Sequence, residues 1–108
     1  MAKQELKNAL PEEGSQFTIE SIQNAVIKHF GLKMSDLKSP SRSRNVAFPR
    51  QIAMYLIRKY TGIGFKEIGF YFGGKDHTTV IHAVKSIEKG IEQDGETRQI
   101  VEEVQNLL

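Results

Sequence analysis

The sequence contains no cysteine, and this absence excludes two kinds of small protein. Without cysteine there can be neither a disulfide framework nor a thiolate zinc site, so nothing in the composition points to secretion. The chain also lacks any apolar run approaching the roughly 20 residues that span a bilayer. Its first residues are charged and unlike a signal peptide. We therefore expect a cytoplasmic protein with no membrane segment.

Acidic residues are absent from a long stretch in the middle of the chain. Residues 37–66 contain no Asp or Glu but carry the cations Lys38, Arg42, Arg44, Arg50, Arg58, Lys59 and Lys66. The acidic residues lie towards both ends instead. Although the net charge is only +2, this distribution is typical of a protein that binds a polyanion with one side. The alternative is a solvated surface whose charges are unevenly spread.

No segment alternates apolar and polar residues with the period of a β-strand. Apolar residues instead recur at helical spacing, which predicts an all-α fold, a compact bundle of about six helices. A chain of 108 residues is enough for one small domain. We predict that this domain covers residues 17–108, and that residues 1–16 form a linker or the end of a preceding helix.

Caps and glycine stops divide the chain into predicted helices at residues 19–30, 34–38, 48–61, 65–72, 76–89 and 96–108. Thr18 is the expected N-cap of the first helix and Ser35 that of the second. The third helix is apolar nearly all round, which indicates a central position. Pro49 falls in its first turn, where the missing N–H costs least. Gly90 and Gly95 are expected to flank the connection to the last helix.

The segment rich in serine after the second predicted helix is expected to be a loop with Arg42 and Arg44 at alternate positions. A flexible connector would explain its composition. A basic arm of this kind can also enter a DNA minor groove, where negative potential is concentrated. Arg50 and Arg58 fall on one face of the third helix, with Gln51 beside them, and we expect both arginines to emerge at the same surface.

The stretch around two adjacent glycines predicts a helix-turn-helix. Gly73 and Gly74 end one short helix, and Asp76 begins the next, whose first turn carries side chains able to hydrogen-bond. In such a unit the N-terminal residues of the second helix touch base edges in the major groove. His82 lies further along this helix, and we interpret it as a surface, boundary or packing residue rather than a DNA contact.

Each side chain of that first turn has a chemical reason to contact DNA. Asp76 can accept a hydrogen bond from the cytosine amino group, and His77 can donate or accept one. The methyl groups of Thr78 and Thr79 fit the thymine methyl, and their hydroxyls can reach a base or a phosphate. The free N–H groups of the helix start, with Lys75 beside them, favour a phosphate. The alternative is that Asp76 only caps the helix and that the threonines are ordinary first-turn residues.

Catalysis and cofactor binding have little support in the sequence. Glycines followed by Lys75 are similar to a phosphate loop, but Asp76 replaces the required Ser or Thr, and no strand precedes the glycines. Histidines without cysteine give no convincing metal spacing. Neighbours at the start of one helix point in different directions, so they imply no nucleophile and base pair. We expect neither an enzyme nor a nucleotide site.

The helix-turn-helix carries a specific family resemblance. Gly-Gly-Lys-Asp-His-Thr-Thr-Val-Ile-His-Ala from Gly73 resembles the signature of the C-terminal DNA-binding domain of the DnaA family of bacterial chromosomal replication initiators. Pro-Arg-Gln-Ile-Ala-Met-Tyr-Leu from Pro49 and Glu-Ile-Gly from Glu67 match that family's pattern in the same order. The resemblance covers residues 17–108. It implies a Trp-repressor-like helix-turn-helix that binds duplex DnaA boxes at a replication origin as a monomer.

The resemblance also implies roles for individual residues. In the family an arginine of the basic loop enters the minor groove, and Arg42 matches that position, with Arg44 as a second candidate. Arg50, Gln51 and Arg58 match residues that contact phosphates in the family. Lys66 stands where proline is common in the family, and it could add a phosphate contact. Asp76, His77 and Thr78 match base-reading positions, and Thr79 matches a contact shared between base and backbone. Pro40 and Ser41 stand where many relatives carry cations, which predicts weaker non-specific binding.

The partners and setting follow from the same resemblance. Double-stranded DNA is the expected partner, together with the rest of the initiator if this chain is a fragment, in the bacterial cytoplasm at the nucleoid. The family's ATP-binding module is absent, so no cofactor is expected. Two other functions stay open from the residues: a transcription regulator on the same scaffold, and a protein–protein adaptor, which would leave the basic middle unexplained.

Overall fold

The computed structural model describes residues 17–108, and every regular element in that range is a helix. The helices are α1 (Ile19–Phe30), α2 (Met34–Leu37), α3 (Arg44–Thr61), α4 (Phe65–Phe70), α5 (His77–Gln93) and α6 (Gly95–Gln105). The prediction of an all-α fold with about six helices is therefore confirmed. The predicted linker or helix end at residues 1–16 lies outside the described part of the chain.

Helix α3 is the centre of the bundle, and α1, α2, α4 and α5 all pack against it. Ile52, Ala53, Leu56 and Ile57 have no exposed surface. Full burial of an Ile or Leu side chain stabilises a fold by about 1.5–3 kcal/mol. The continuous apolar run of α3 thus explains its central position, as the sequence predicts.

Helix α3 begins at Arg44, four residues before the predicted start, so Pro49 lies inside the helix. The chain is extended at Ser43, whose carbonyl accepts the Ala47 N–H at 2.7 Å to open the first turn. A proline at residue 49 removes only the hydrogen bond to the Asn45 carbonyl. The prediction that Pro49 sits in the first turn is wrong, and Arg44 belongs to the helix rather than to the loop.

The cap of α2 also differs from the prediction. Lys33, not Ser35, precedes this helix, and its N–H donates to the carboxylate of Asp36 at 2.9 Å. At α1 the prediction is confirmed, because the Thr18 hydroxyl accepts the Ser21 N–H at 3.0 Å. The sequence locates this cap two residues too late, because serine is a preferred N-cap residue and lysine is not.

Helix α5 runs through Gly90 to Gln93, past its predicted end. A Cβ added at Gly90 would lie 3.0 Å from the Cγ2 atom of Thr97, so the glycine allows α5 and α6 to approach closely. Gly90 therefore marks a packing contact rather than a stop. Helix α6 begins at Gly95, with the Asp94 carboxylate accepting the Glu96 N–H at 3.2 Å.

Candidate nucleic-acid interface

Helices α4 and α5 form the predicted helix-turn-helix, although α4 ends at Phe70 rather than Phe72. Gly73 and Gly74 have φ angles of +84° and +77°, a left-handed conformation that favours glycine. The Lys75 N–H donates to the Gly69 carbonyl at 2.9 Å and closes the turn. A Cβ added at Gly69 would overlap the Lys75 carbonyl oxygen, so the two segments touch through their backbones.

The first turn of α5 is presented to solvent. Asp76, His77, Thr78 and Thr79 are all exposed. The Asp76 Oδ2 atom accepts the Thr78 N–H at 3.2 Å, so the predicted N-cap is confirmed. The other oxygen, Oδ1, lies 3.5 Å from His77 Nδ1 and keeps its capacity to accept from a ligand. The turn therefore offers an acceptor, an imidazole and hydroxyls on one exposed end.

The opposite side of α5 holds this turn in place. Val80, Val84 and Ile87 are 5 % exposed or less, and they anchor the helix on α3. The outer side of α5, towards solvent, carries His82, which is exposed. The surface interpretation of His82 therefore agrees with the structure, and the packing role is wrong because the side chain is exposed.

Arg50 is a buried side chain, only 8 % exposed, so the prediction that it emerges at the surface is wrong. Its two terminal nitrogens donate to the carbonyl oxygens of Ser39 at 3.1 Å and Ser41 at 2.8 Å. Burial lowers the pKa of Arg50 from its ordinary value. The two carbonyls offset that desolvation because hydrogen bonds to a charged donor are among the stronger ones.

Lys75 makes a second connection between the loop and the helix-turn-helix. Its Nζ donates to the Phe72 carbonyl at 2.8 Å and to the Lys38 carbonyl at 3.4 Å. A Cβ added at Gly73 would overlap the same Lys38 carbonyl oxygen, so the loop rests directly on the turn. Burial, and then the charge of Arg50, lower the pKa of Lys75. The loop and the first turn of α5 therefore form one connected surface.

Arg42 and Arg44 are both exposed, but they belong to different elements. Arg42 lies in the loop, directly after Ser41, whose Oγ accepts the Ser43 N–H at 3.2 Å. Arg44 lies in the first turn of α3, and its guanidinium carbon is 4.6 Å from the centre of the Phe48 ring. Of the two arginines, Arg42 alone is carried by the loop that Arg50 holds.

Arg58 stabilises the turn between α3 and α4. It is half-buried and donates to the carbonyls of Ile63 at 2.9 Å and Gly62 at 3.4 Å, while its guanidinium lies 4.3 Å from the centre of the Phe65 ring. Gln51 is half-buried and Lys66 is exposed. The sequence did not predict that three of the expected DNA contacts hold carbonyl groups. No pattern in the sequence signals such contacts, because every residue has a carbonyl group.

Neither a metal site nor a membrane span is found between residues 17 and 108. No group of three or more His, Cys, Asp or Glu side chains in this range could hold a metal ion. None of the helices in the same range is both long and apolar enough to cross a membrane.

The matched family fits this architecture. A family model described as the bacterial dnaA protein helix-turn-helix matches residues 19–87, from the first residue of α1 to a buried residue of α5. The chain belongs to this DnaA helix-turn-helix family. The matched span contains the basic loop, the central helix and the helix-turn-helix as far as residue 87, which confirms the resemblance seen in the sequence.

Relatives of known name agree with the family model. The chromosomal replication initiator protein DnaA of Citrifermentans bemidjiense is 44% identical over 108 residues, all of this chain and 24% of the relative. That of Geobacter sulfurreducens is 46% identical over 102 residues, 94% of this chain and 23% of the relative. The chain thus spans about a quarter of the length of the DnaA proteins that it matches.

Proposed function

We propose that this chain binds duplex DNA sequence-specifically, at origin sites of the DnaA-box type, and serves in the initiation of chromosomal replication. The observation that carries the proposal is the connection of two exposed elements, the Arg42 loop and the first turn of α5, through the Lys75 contacts. Membership of the DnaA helix-turn-helix family supports the same function. The chain would act as a monomer, as the DNA-binding part of a larger initiator, at the nucleoid in the bacterial cytoplasm.

We infer that the first turn of α5 enters the major groove. The Oδ1 atom of Asp76 would accept from a cytosine amino group, since Oδ2 is occupied by the Thr78 N–H. His77 would contact a neighbouring base edge, and the methyl of Thr78 would pack on a thymine methyl. Thr79 would contact both base and backbone. Each well-placed base contact of this kind discriminates by about 1–3 kcal/mol.

Arg42, rather than Arg44, would enter the minor groove beside the recognition turn. Arg42 is exposed on a loop that is fixed on both sides, and an extended arginine reaches the narrow groove of A·T-rich DNA. Arg44 is stacked on Phe48 in a helix, which favours a contact to the phosphate backbone instead. The two grooves would then be read from one side of the domain.

Phosphate contacts would fix the register of the domain without reading sequence. Lys66, exposed at the start of α4, and the half-buried Gln51 are available for this role. Arg58 keeps N–H groups beyond those given to the Gly62 and Ile63 carbonyls, since a guanidinium has five donors. Binding would need no cofactor, because these contacts are made by the side chains themselves, and no catalytic step is proposed.

Selection from a random duplex pool tests this function. The chain is expected to enrich one short motif in which an A·T-rich flank adjoins a segment with at least one invariant C·G pair. Affinity for that motif should fall linearly in log K against log salt, with a slope of about −0.9 for each phosphate contact. Enrichment of no motif, together with salt-independent retention, would remove the proposal and leave the adaptor function in its place.

A further inference from the structure

We propose that Arg50 and Lys75 are positioning residues rather than phosphate contacts: they fix the Arg42 loop to the recognition turn and so couple minor-groove readout to major-groove readout. This inference rests on the proposed function. It assigns the two residues a task that the sequence did not predict, because both were expected at the DNA backbone.

The geometry of Arg50 favours positioning. Its side chain comes from the buried helix α3, and its planar fork spans the carbonyls of Ser39 and Ser41, two residues apart in the loop. A guanidinium fork fixes orientation as well as distance, which a single ammonium group cannot do. With 8 % of its surface exposed, Arg50 has little area left for a phosphate.

Lys75 holds the start of the same loop from the other side. Its Nζ donates to the carbonyl of Lys38, and its own backbone leads directly into Asp76, the cap of the recognition helix. Displacement of the loop therefore acts on the residue that precedes the base-reading turn. The Ser41 carbonyl that Arg50 holds therefore lies directly before Arg42, the arginine proposed for the minor groove.

The partners of the two cations are neutral. Within residues 17–108 neither Arg50 nor Lys75 pairs with a carboxylate, since both donate to backbone carbonyls. Their positive charges are therefore not cancelled. Arg50 and Lys75 together form a clamp on the loop. This clamp can hold the loop and still attract DNA over a distance of about 8–10 Å at ordinary ionic strength. A carboxylate in the same place could not hold the loop, because it accepts hydrogen bonds and the loop presents carbonyl acceptors.

A double-mutant cycle on the selected duplex tests the coupling. Arg50→Lys keeps the charge and loses the fork, so we expect about tenfold weaker specific binding with an unchanged slope of log K against log salt. The loss caused by Arg42→Ala should shrink several-fold when Arg50→Lys is already present. The matched control is Arg98→Lys, an exposed arginine on α6 that also donates to a carbonyl, that of Ile91 at 3.4 Å. It should bind like the unchanged chain.

Two results would overturn the inference. They are retention of affinity by Arg50→Lys, and losses for Arg42 and Arg50 that multiply independently. If Arg50 variants fold poorly, Lys75→Gln supplies the same cycle from a half-buried position. If the unchanged chain binds specifically but the losses for Arg42 and Arg50 are independent, only the clamp is rejected. If the unchanged chain shows no specific binding, the proposed function is rejected.

A measurement on the free protein tests the clamp separately from the proposed DNA binding. Because the clamp exists in the free protein, Arg50→Lys should lower the backbone order parameters of Ser41 to Ser43 measured by nuclear magnetic resonance. An unchanged loop in that variant would overturn the inference even if the duplex experiments failed.

Discussion

The guanidinium of Arg50 donates to the carbonyl oxygen of Ser41 at 2.8 Å, and the next residue in the chain is Arg42. Arg50, on the central helix α3, thereby fixes the loop backbone directly before the exposed Arg42. The loop is also held at Lys38 by Lys75, which precedes the recognition turn. Two elements that are far apart in sequence are thus fixed as one connected surface.

The dual role of Asp76 leads to the first prediction. Asparagine caps helices about as well as aspartate, so Asp76→Asn should leave the melting temperature unchanged. It should cost about 1–3 kcal/mol at one base pair of the selected site, with relaxed preference there, because an amide nitrogen replaces an acceptor. Competition binding with single-base variants of the duplex measures this.

The matched control for that variant is Asp94→Asn at the cap of α6, where the carboxylate accepts the Glu96 N–H at 3.2 Å. It tests the same chemistry away from the proposed interface and should not change base preference. Equal discrimination by both variants would reduce Asp76 to a structural cap.

Arg42 and Arg44 are expected to differ in base preference. Arg42→Ala should weaken binding mainly to duplexes with an A·T-rich flank, because minor-groove potential is concentrated there. Arg44→Ala should weaken binding to every duplex by a similar factor, since an arginine stacked on Phe48 would meet the backbone. Affinity for duplexes that differ only in the flank separates the two, and the reverse pattern would exchange their roles.

Lys66 is expected to contact a phosphate. Lys66→Gln should weaken binding about uniformly across sequences and reduce the magnitude of the salt slope by about 0.9. Arg98→Gln on α6 removes a similarly exposed charge and should leave the slope as it is. A change in base preference for Lys66→Gln would contradict a pure backbone contact.

The close backbone contact at Gly69 predicts a large effect on stability. Gly69→Ala would drive a Cβ into the Lys75 carbonyl, and it should destabilise the domain by at least about 2 kcal/mol. That loss lowers the melting temperature by roughly 10 °C in a domain of this size. Gly64→Ala is the control, because no atom lies within 4 Å of an added Cβ there. Thermal unfolding followed by circular dichroism measures both, and equal melting temperatures would contradict the close contact.

The sequence predicted those features that leave a periodic or local pattern. The buried stripe of α5 from Val80 to Ile87 and the cap at Asp76 follow from spacing and residue type. The start of α3 was missed because Pro49 usually marks a first turn, yet one lost hydrogen bond is tolerable inside a long, buried helix.

Contacts to backbone carbonyls could not be predicted. Every residue has a carbonyl, so the sequence contains no sign that Arg50 would reach those of Ser39 and Ser41. The family resemblance predicted a phosphate contact for Arg50, and the free N–H groups of the helix start predicted one beside Lys75. Only the folded arrangement distinguishes a side chain that would touch DNA from one that holds another side chain in place.

Methylation interference on the selected duplex tests most directly whether one surface reads both grooves of one site. Dimethyl sulfate modifies guanine N7 in the major groove and adenine N3 in the minor groove. Both kinds of methyl group should block binding at adjacent positions, and Arg42→Ala should remove the block at adenine N3 alone. Interference confined to one groove, or an adenine block that persists in Arg42→Ala, would contradict it.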